Sequence, residues 1–474
     1  MKKSLRLAAL SALLPALLSA AAVSVSVEPG PLLQLTRQAA AAQGAERLRA
    51  TDALLAELAS PKTARDYTPA QRLHTLHQLR HLVSTPAQTA KLLGIAAALK
   101  DPAVRMFLFE YRSDASVADA YKKAQRDSQK LLLDGKPAPD KKNDPADAYG
   151  RNAFDARATY DSWDDIHGII GRYQNPGKTL VADIVAEPAQ NYRARLVRPG
   201  AAPVNLLAFP AIVQNLTGAA ASNEVVLQFI GPGVEATLRD GALTLVENGA
   251  RETLTRAAVG KVFFENRPAN ATVLLDPATG LKHFTSSGKP PRWKLLPGGI
   301  VQSVPKAGSL HTTGKYADSL LYVEFRVANN PEALGQHRGN SGVFPQPAYE
   351  IQILDSFGLD ARDNDCGGLY HVAAPAVNMS APPLEWQSYL IHYTAPRFDA
   401  SGQKTANARV TVWQNGVKIQ DALEIPRNTS NPKGPEPKTP TPIALQQHTS
   451  VLQFRNIWVI PDPTPADIAA AAPR

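Results

Sequence analysis

Apolar residues recur at helical spacing through the first part of the chain, from about residue 30 to residue 133. After Thr68 they fall every three or four positions, at Leu73, Leu76, Leu79 and Leu82, as on one face of a helix. Thr68 and Thr85 each precede a proline, which is typical of an N-cap followed by proline at the first helical position. The pattern predicts a helical domain over residues 30–180, as a bundle or a set of helical repeats.

Residues 134–152 interrupt this helical pattern. The stretch is rich in Pro, Lys and Asp and has no periodicity, so we expect an exposed loop or linker. A further helix is predicted at residues 153–173, before the turn sequence Asn175-Pro176-Gly177.

Short alternating runs replace the helical spacing between residues 190 and 275. Asp240-Gly241 and Asn248-Gly249 separate such runs, and both dipeptides favour tight turns between antiparallel strands. A small β-rich domain is therefore predicted at residues 190–275. No group of residues in it has a clear catalytic role.

Strict alternation marks the segment that begins at Tyr349 and reads YEIQILD. In a β-strand the apolar residues Tyr349, Ile351 and Ile353 would share one face, and Glu350 and Gln352 would share the other. An apolar back with an acid and an amide in front suits a sheet whose second face receives a polar ligand. An antiparallel strand with its polar face in water would show the same pattern.

Further short strands fill the rest of the C-terminal part. The hairpin dipeptide Asn415-Gly416 lies between two alternating runs, and Pro/Gly turns separate the other strands, which is typical of a β-sandwich. The predicted fold class is thus multidomain α+β: a helical region, a short β-rich region, and an all-β sandwich at residues 276–462.

The N-terminus has the layout of a secretory signal peptide over residues 1–22. Lys2, Lys3 and Arg6 precede an apolar stretch, and small residues follow at 19–22. We therefore expect an exported protein, periplasmic or extracellular, although an uncleaved N-terminal anchor is the alternative. No later segment is long and apolar enough for a transmembrane helix.

Charge and cysteine content exclude some partners and chemistries. The formal net charge is +9, but the positive residues form no stripe interleaved with aromatics, so nucleic acid is a poor candidate partner. The single cysteine, Cys366, follows Asp363-Asn364-Asp365. Acidic neighbours raise a thiol pKa, so a structural role is expected for Cys366.

Three histidines, His74, His77 and His81, stand three and four residues apart. This spacing places them near one helix face, as a metal site would require. No carboxylate lies within a helical turn of them, so the sequence favours a solvated helix face.

Several C-terminal motifs occur together in a defined order: GNSGVF, YEIQILD, CGGLY, EWQ, ARVTVWQNGV, EIPRNT and FRNIWVIP. In order and spacing, the stretch from about Asp276 to Pro461 resembles the 3-keto-disaccharide hydrolase domain family. This resemblance implies a concanavalin-like jelly roll with a sugar site on a concave sheet. It also implies cleavage of glycosides whose C3 hydroxyl has been oxidised to a ketone.

A C3 ketone changes how a glycosidic bond can be broken. It acidifies the proton on C2, so a base can start an elimination that expels the oxygen on C1, and water then adds back. Such a site needs a base near C2, a charge stabiliser near the C3 oxygen and an acid for the leaving group.

Four residues are candidates for catalytic roles. Glu350 could be the base, or it could bind a hydroxyl or a metal. Asp355 could be a second carboxylate or cap a turn, His448 could move a proton, and Arg455 could neutralise an enolate or form a structural ion pair. In the resembling family LQ-x-H-G is usual at His448, whereas this chain has Gln447 and Thr449 around it.

Five residues are candidates for binding the sugar: Asn340, Gln352, Tyr370, His371 and Trp386. Asn340 and Gln352 offer amide hydrogen bonds, and the aromatic rings could stack on a pyranose, although Trp386 could equally belong to the core. No metal ligand set is assigned. A divalent ion is compatible with Glu350 and Asp355, but no spacing requires a cofactor.

The predicted function is therefore an exported hydrolase or lyase acting on 3-keto glycosides or 3-keto disaccharides. The alternative is a carbohydrate-binding jelly-roll protein without catalysis. An ordinary retaining glycosidase is disfavoured, because the position two residues after Glu350 holds Gln352 rather than a second acid. The sequence does not decide whether the helical region docks a protein partner, forms an oligomer interface or shapes the substrate cleft.

Overall fold

The computed structural model describes residues 31–101, 103–111, 114–132, 168–189, 191–215, 222–448 and 450–473. The predicted signal peptide and the predicted loop at residues 134–152 lie outside them. The described chain divides into two compact units. The first unit comprises residues 31–132, 168–257 and 331–334, and the second comprises residues 258–330 and 335–473.

The first unit begins with helices whose N-termini are set by side-chain caps. The hydroxyl of Thr68 accepts a hydrogen bond from the backbone N–H of Gln71, and the hydroxyl of Thr85 accepts one from Gln88, as predicted. The helices described are α1 (Pro31–Ala41), α2 (Gly44–Ala59), α3 (Pro61–Asp66), α4 (Pro69–Leu79), α5 (Pro86–Ala97), α6 (Val104–Phe109) and α7 (Ala118–Leu132).

An antiparallel β-barrel completes the first unit. Its eight strands pair in chain order and the first pairs with the last, so the sheet is closed. Asp240 and Asn248 adopt positive φ angles of 51° and 49° in the predicted tight turns. The strands are β1 (Gly171–Gln174), β2 (Val181–Glu187), β3 (Asn191–Val197), β4 (Val204–Asn215), β5 (Ser222–Gly231), β6 (Val234–Arg239), β7 (Ala242–Glu247) and β8 (Ala250–Ala257).

Apolar side chains fill this barrel and also join it to the helices. Tyr173, Phe229 and Leu254 are fully buried in the barrel's own core. On its other face, Phe209 and Ile230 belong to the same buried cluster as the helices. The helical part and the barrel therefore share a core.

The predicted boundaries of both regions are wrong. Strand β1 starts at Gly171, so the described end of the helix predicted at residues 153–173 is extended, and strands begin before residue 180. The four-residue strand is too short for its alternation to be recognised in the sequence. It is held in place by the next strand, through the ion pair between Arg172 and Asp183. Residues 272–275, predicted to belong to the small β-rich domain, pair instead with the last strand of the second unit.

The three histidines lie against the barrel, so the expected solvated helix face is wrong. His77 is only 2% exposed, His74 Nδ1 lies 2.7 Å from the carbonyl oxygen of Ala189, and His81 Nε2 lies 2.7 Å from the carboxylate of Glu187. The missing carboxylate comes from a barrel strand more than a hundred residues away. Burial alone would raise the pKa of Glu187, but His81 and Arg80 hold it well below its usual value.

The second unit is built from strands with one short helix at its end. They are β9 (Thr272–Leu275), β10 (Phe284–Thr285), β11 (Lys294–Leu296), β12 (Ile300–Gln302), β13 (Leu310–Thr312), β14 (Ser319–Val327), β15 (Ser341–Gln346), β16 (Tyr349–Ile353), β17 (Gln387–Thr394), β18 (Arg397–Phe398), β19 (Lys404–Ala406), β20 (Ala408–Gln414), β21 (Val417–Ile425), β22 (Ala444–Leu445), β23 (Leu452–Pro461) and helix α8 (Pro465–Ala471).

Two antiparallel sheets share the core of this unit. The five-stranded sheet has the order β10-β13-β22-β15-β16. The eight-stranded sheet has the order β11-β12-β23-β14-β17-β20-β21, and its eighth strand, β9, also pairs with β23. Tyr349, Ile351 and Ile353 from the first sheet pack in one cluster with Val323 and Phe454 from the second. The predicted apolar face of the YEIQILD strand is thus confirmed, and Glu350 and Gln352 belong to the opposite, outer face of the five-stranded sheet.

The core between the sheets also contains the cysteine. Cys366 is fully buried, and its sulfur lies 3.1 Å from the hydroxyl of Tyr389. Burial raises the pKa of the Cys366 thiol, which fits the structural role predicted for it. Within the described part of the chain, no helix is long and apolar enough to cross a bilayer.

Candidate active site on the five-stranded sheet

The register of the five-stranded sheet places three residues side by side across its middle. Gly342 pairs with Gln352 on one side, and its carbonyl oxygen accepts a hydrogen bond from the backbone N–H of Gln446 on the other. Leu445 faces the core, so its neighbour Gln446 faces outward, as Gln352 does. The outer face therefore carries two glutamines separated by a glycine.

The segment Gly367–Tyr370 extends this sheet beyond β16. Gly367 and Gly368 exchange backbone hydrogen bonds of 3.0 and 2.9 Å with Gln352, and the N–H of Tyr370 donates to the carbonyl oxygen of Glu350 at 3.1 Å. Tyr370 therefore lies beside Glu350. Burial and then the neighbouring Glu350 charge raise the pKa of the Tyr370 hydroxyl.

Glu350 is the most unusual acid on this face. It is 4% exposed, and Ser430 donates a hydrogen bond of 3.2 Å to one of its carboxylate oxygens. Burial raises the pKa of Glu350 to about 7, although the Ser430 hydrogen bond works in the opposite direction. A carboxyl with this pKa exchanges protons readily near neutral pH, as a general base must.

Gly342 provides the room that the Glu350 side chain occupies. A Cβ atom at position 342 would lie 2.4 Å from Glu350 Oε1 and 3.0 Å from its Cδ and Cγ. Because real Cβ contacts are longer, only glycine is compatible with the observed carboxylate position. This residue was part of the motif GNSGVF, but its role depends on the cross-strand register.

Two buried amide oxygens on the same face have no hydrogen-bond partner. The side-chain nitrogen of Gln352 donates to Gln336 Oε1 at 2.9 Å, while its Oε1 has no partner, and neither has Gln446 Oε1. Unpaired buried acceptors are costly, so a ligand that donates hydrogen bonds would stabilise both amide oxygens. Sequence reasoning identified Gln352 but missed Gln446, although the Ala444-Leu445-Gln446 alternation indicates its direction.

Asn340 contacts Gln352 indirectly, through Gln336. Its side-chain nitrogen donates to the carbonyl oxygen of Gln336 at 2.7 Å and lies 3.3 Å from Gln336 Oε1. Gln336 in turn accepts from Gln352. Asn340 thus orients Gln352 through Gln336, a contact that its predicted role in binding sugar did not include.

Asp355 is engaged in an ion pair. Its carboxylate accepts a hydrogen bond from Arg338 Nε, and its backbone N–H donates to the Arg338 carbonyl oxygen. Asp355 is 3% exposed. The structure therefore shows Asp355 as the ion-pair partner of Arg338, and the catalytic role predicted for it stays a prediction.

The two candidate histidines lie at the rim of this face. His371 is exposed, and its ring centroid is 4.1 Å from that of Tyr370. His448 is also exposed and follows Gln446 by two residues. Both remain candidates for contact with a bound molecule.

Arg455 and Trp386 belong to the other side of the sandwich. Arg455 Nε donates to Glu324 at 2.7 Å, and its guanidinium carbon lies 4.1 Å from the centre of the Trp386 ring. Glu324 alternates with the core residues Val323 and Phe325 of β14, so it lies on the outer face of the eight-stranded sheet. The shared core separates this face from Glu350, and the prediction that Arg455 and Trp386 join Glu350 is wrong.

No metal centre is assigned. Among the residues that the structure describes, no group of three or more His, Cys, Asp or Glu side chains could hold a metal ion. The arrangement suggested by the sequence required Asp355, which is paired with Arg338.

The unit that carries this site matches a known family of domains. Residues 270–460 match the family described as the 3-keto-alpha-glucoside-1,2-lyase-like domain. A search of the curated proteins gives no significant match.

Three solved structures of candidate glycosyl hydrolases from Parabacteroides distasonis are similar to parts of the chain. The first is 31% identical and covers 44% of this chain and 93% of its own, with a TM-score of 0.39. The second is 16% identical (42% and 96% covered, TM-score 0.30), and the third is 22% identical (40% and 99% covered, TM-score 0.29). The C-terminal part of this chain, residues 270–460, therefore contains a domain that matches the 3-keto-disaccharide hydrolase domain family, as the sequence motifs predict.

Proposed function

We propose that the second unit cleaves glycosides whose C3 hydroxyl has been oxidised to a ketone, with Glu350 as the base. The observation that supports this most strongly is the buried Glu350 carboxyl, whose pKa is raised to about 7 on the outer face of the five-stranded sheet. An ordinary surface glutamate would be a much weaker base at neutral pH.

The reaction that fits one such base begins at C2. Glu350 takes the C2 proton, and the electron pair of that C–H bond becomes the enolate of the C3 ketone. The enolate then forms the C1–C2 double bond and expels the glycosidic oxygen, which leaves with a proton. Water adds across the double bond, giving C1 a hydroxyl and C2 a hydrogen, so the net reaction is hydrolysis.

The surroundings of Glu350 suit a polyol. The free oxygens of Gln352 and Gln446 accept hydrogen bonds, and every sugar hydroxyl can donate one. Tyr370, beside Glu350, offers an aromatic ring on which the apolar face of a pyranose can stack.

A carbohydrate-binding protein without catalysis is the second candidate. The low exposure of Glu350, 4%, favours it, because a covered carboxyl can also serve as a neutral hydrogen-bond donor. The two candidates differ in turnover, so one experiment separates them.

The test uses the purified protein with a 3-keto glycoside and with its unoxidised parent. We expect cleavage of the keto form alone, and loss of cleavage but not of binding in Glu350→Gln. Binding of the keto form without cleavage would support the second candidate, and cleavage of the parent would contradict both.

We also propose that the protein is exported, because residues 1–22 have the layout of a signal peptide. Fractionation of producing cells, followed by N-terminal sequencing, would show a mature chain outside the cytoplasm. An intact N-terminus in the cytoplasmic fraction would contradict this.

A further inference from the structure

We propose that Gln446 is a substrate-binding residue and that it holds the oxidised sugar ring together with Gln352, on either side of the Glu350 carboxyl that lies over Gly342. This inference rests on the proposed function for the class of ligand. The position of the two glutamines comes from the sheet itself.

The residues at the middle of the sheet are small. Ala444 pairs with Phe344 and with His311, and it alternates with the core residue Leu445, so it faces outward. Gly342 has no side chain, and the Glu350 carboxyl lies over it, 2.4 Å from the position that a Cβ would take. The small residues therefore place the carboxyl between the two glutamines.

The two glutamines lie on either side of Gly342. Gln446 and Gln352 are on the strands that flank Gly342, so their Cα atoms are two strand spacings apart, about 10 Å. A pyranose ring with its hydroxyls spans roughly this gap once the side chains extend toward it. Each glutamine then reaches one edge of the ring.

The hydrogen-bonding state of the glutamines fixes the chemistry of the ligand. Gln352 uses its nitrogen for Gln336, so only its oxygen is free, and the oxygen of Gln446 is likewise buried without a partner. Each of these two oxygens therefore needs a hydrogen-bond donor, and hydroxyl groups on two edges of one sugar ring can supply both. An anionic or purely apolar ligand would leave both oxygens unsatisfied.

The test compares Gln446→Leu with Gln446→Glu and with the control Gln403→Leu, which changes an exposed glutamine of the same unit. Dissociation constants for the 3-keto glycoside are measured in the Glu350→Gln background, and kcat and KM are measured with Glu350 intact. We expect Gln446→Leu to weaken binding and raise KM about tenfold, with kcat nearly unchanged. Gln446→Glu, which retains an acceptor, should bind more tightly than Gln446→Leu.

A substrate series supplies the second arm. Keto glycosides lacking one hydroxyl each should show one member whose loss weakens binding to the wild type but not to Gln446→Leu. Equal effects in both proteins, or equal binding by Gln446→Leu and Gln403→Leu, would overturn the assignment of Gln446. These outcomes would leave the role of Glu350 intact, whereas absence of turnover by the wild type would refute the proposed reaction and leave the binding comparison valid.

Discussion

Replacing Gly342 with alanine should damage catalysis without removing any chemical group. The new Cβ would lie 2.4 Å from Glu350 Oε1, whereas ordinary van der Waals contact requires about 3.4 Å or more. The carboxylate must therefore move by about 1 Å. A misplacement of this size can cost about a hundredfold in rate, so we expect kcat/KM to fall by about that factor.

The stability of Gly342→Ala should change little. Gly342 does not need a positive φ, and the group that must yield is the end of a flexible side chain. Alanine also restricts the unfolded chain, which contributes about 0.5 kcal/mol in its favour.

The assay is steady-state cleavage of a 3-keto glycoside, together with thermal unfolding of each variant. Gly94→Ala is the matched control, because no atom lies within 4 Å of its added Cβ. It should keep the wild-type kcat/KM and be slightly more stable, since alanine is favoured over glycine inside a helix. If folded Gly342→Ala retained full kcat/KM, Glu350 could not be the base in the position observed.

Three further predictions test other parts of the structure. The kcat/KM of the wild type should rise with pH through about 7 as Glu350 loses its proton. In Ser430→Ala this rise should occur at higher pH, because the hydrogen bond that is lost lowers the Glu350 pKa. An unchanged pH profile in Ser430→Ala would count against Glu350 as the base. Burial lowers the pKa of His77 to about 3, so the unfolded state binds the proton more tightly than the folded state. The free energy of unfolding should therefore fall as the pH drops below 6.5, by about 2 kcal/mol at pH 5. Urea unfolding of His77→Leu should show a weaker pH dependence than the wild type, and identical slopes would refute this. Arg455→Met leaves the buried Glu324 without its cation, so we expect the free energy of unfolding to fall by about 2 kcal/mol. The kcat/KM should be nearly unchanged. A large loss of activity in the folded variant would show that Arg455 belongs to the active site after all.

The strand that carries Glu350 could be predicted from sequence because its information is local. Alternation of Tyr349, Ile351 and Ile353 with two polar residues defines two faces, and the structure buries the apolar one. The same rule gives the outward direction of Gln446.

The grouping of residues into one site could not be predicted, because it depends on which strands are neighbours. Arg455 follows the apolar Phe454 as Glu350 follows the apolar Tyr349, so the two local patterns look alike. Only the pairing of β23 with β14 shows that Arg455 is on the other sheet. A motif in the right order along the chain does not specify the face on which it lies.

The burial of His77 depended on distant sequence in a similar way. Helical spacing correctly placed the three histidines close together, but it contained no information about what covers them. Glu187 arrives from the barrel, and its carboxylate binds His81 at 2.7 Å. Local periodicity predicts a face, whereas the partner of that face is a property of the tertiary fold.

Removal of the C2 proton of the substrate is the step proposed for Glu350. It can be measured by running the cleavage of a 3-keto glycoside in D₂O and determining deuterium at C2 of the released sugar by NMR, with the free product incubated alone as the control for spontaneous exchange. We predict deuterium at C2 with the wild type and none above the control with Glu350→Gln. Cleavage by the wild type with the original hydrogen retained at C2 would contradict proton abstraction by Glu350.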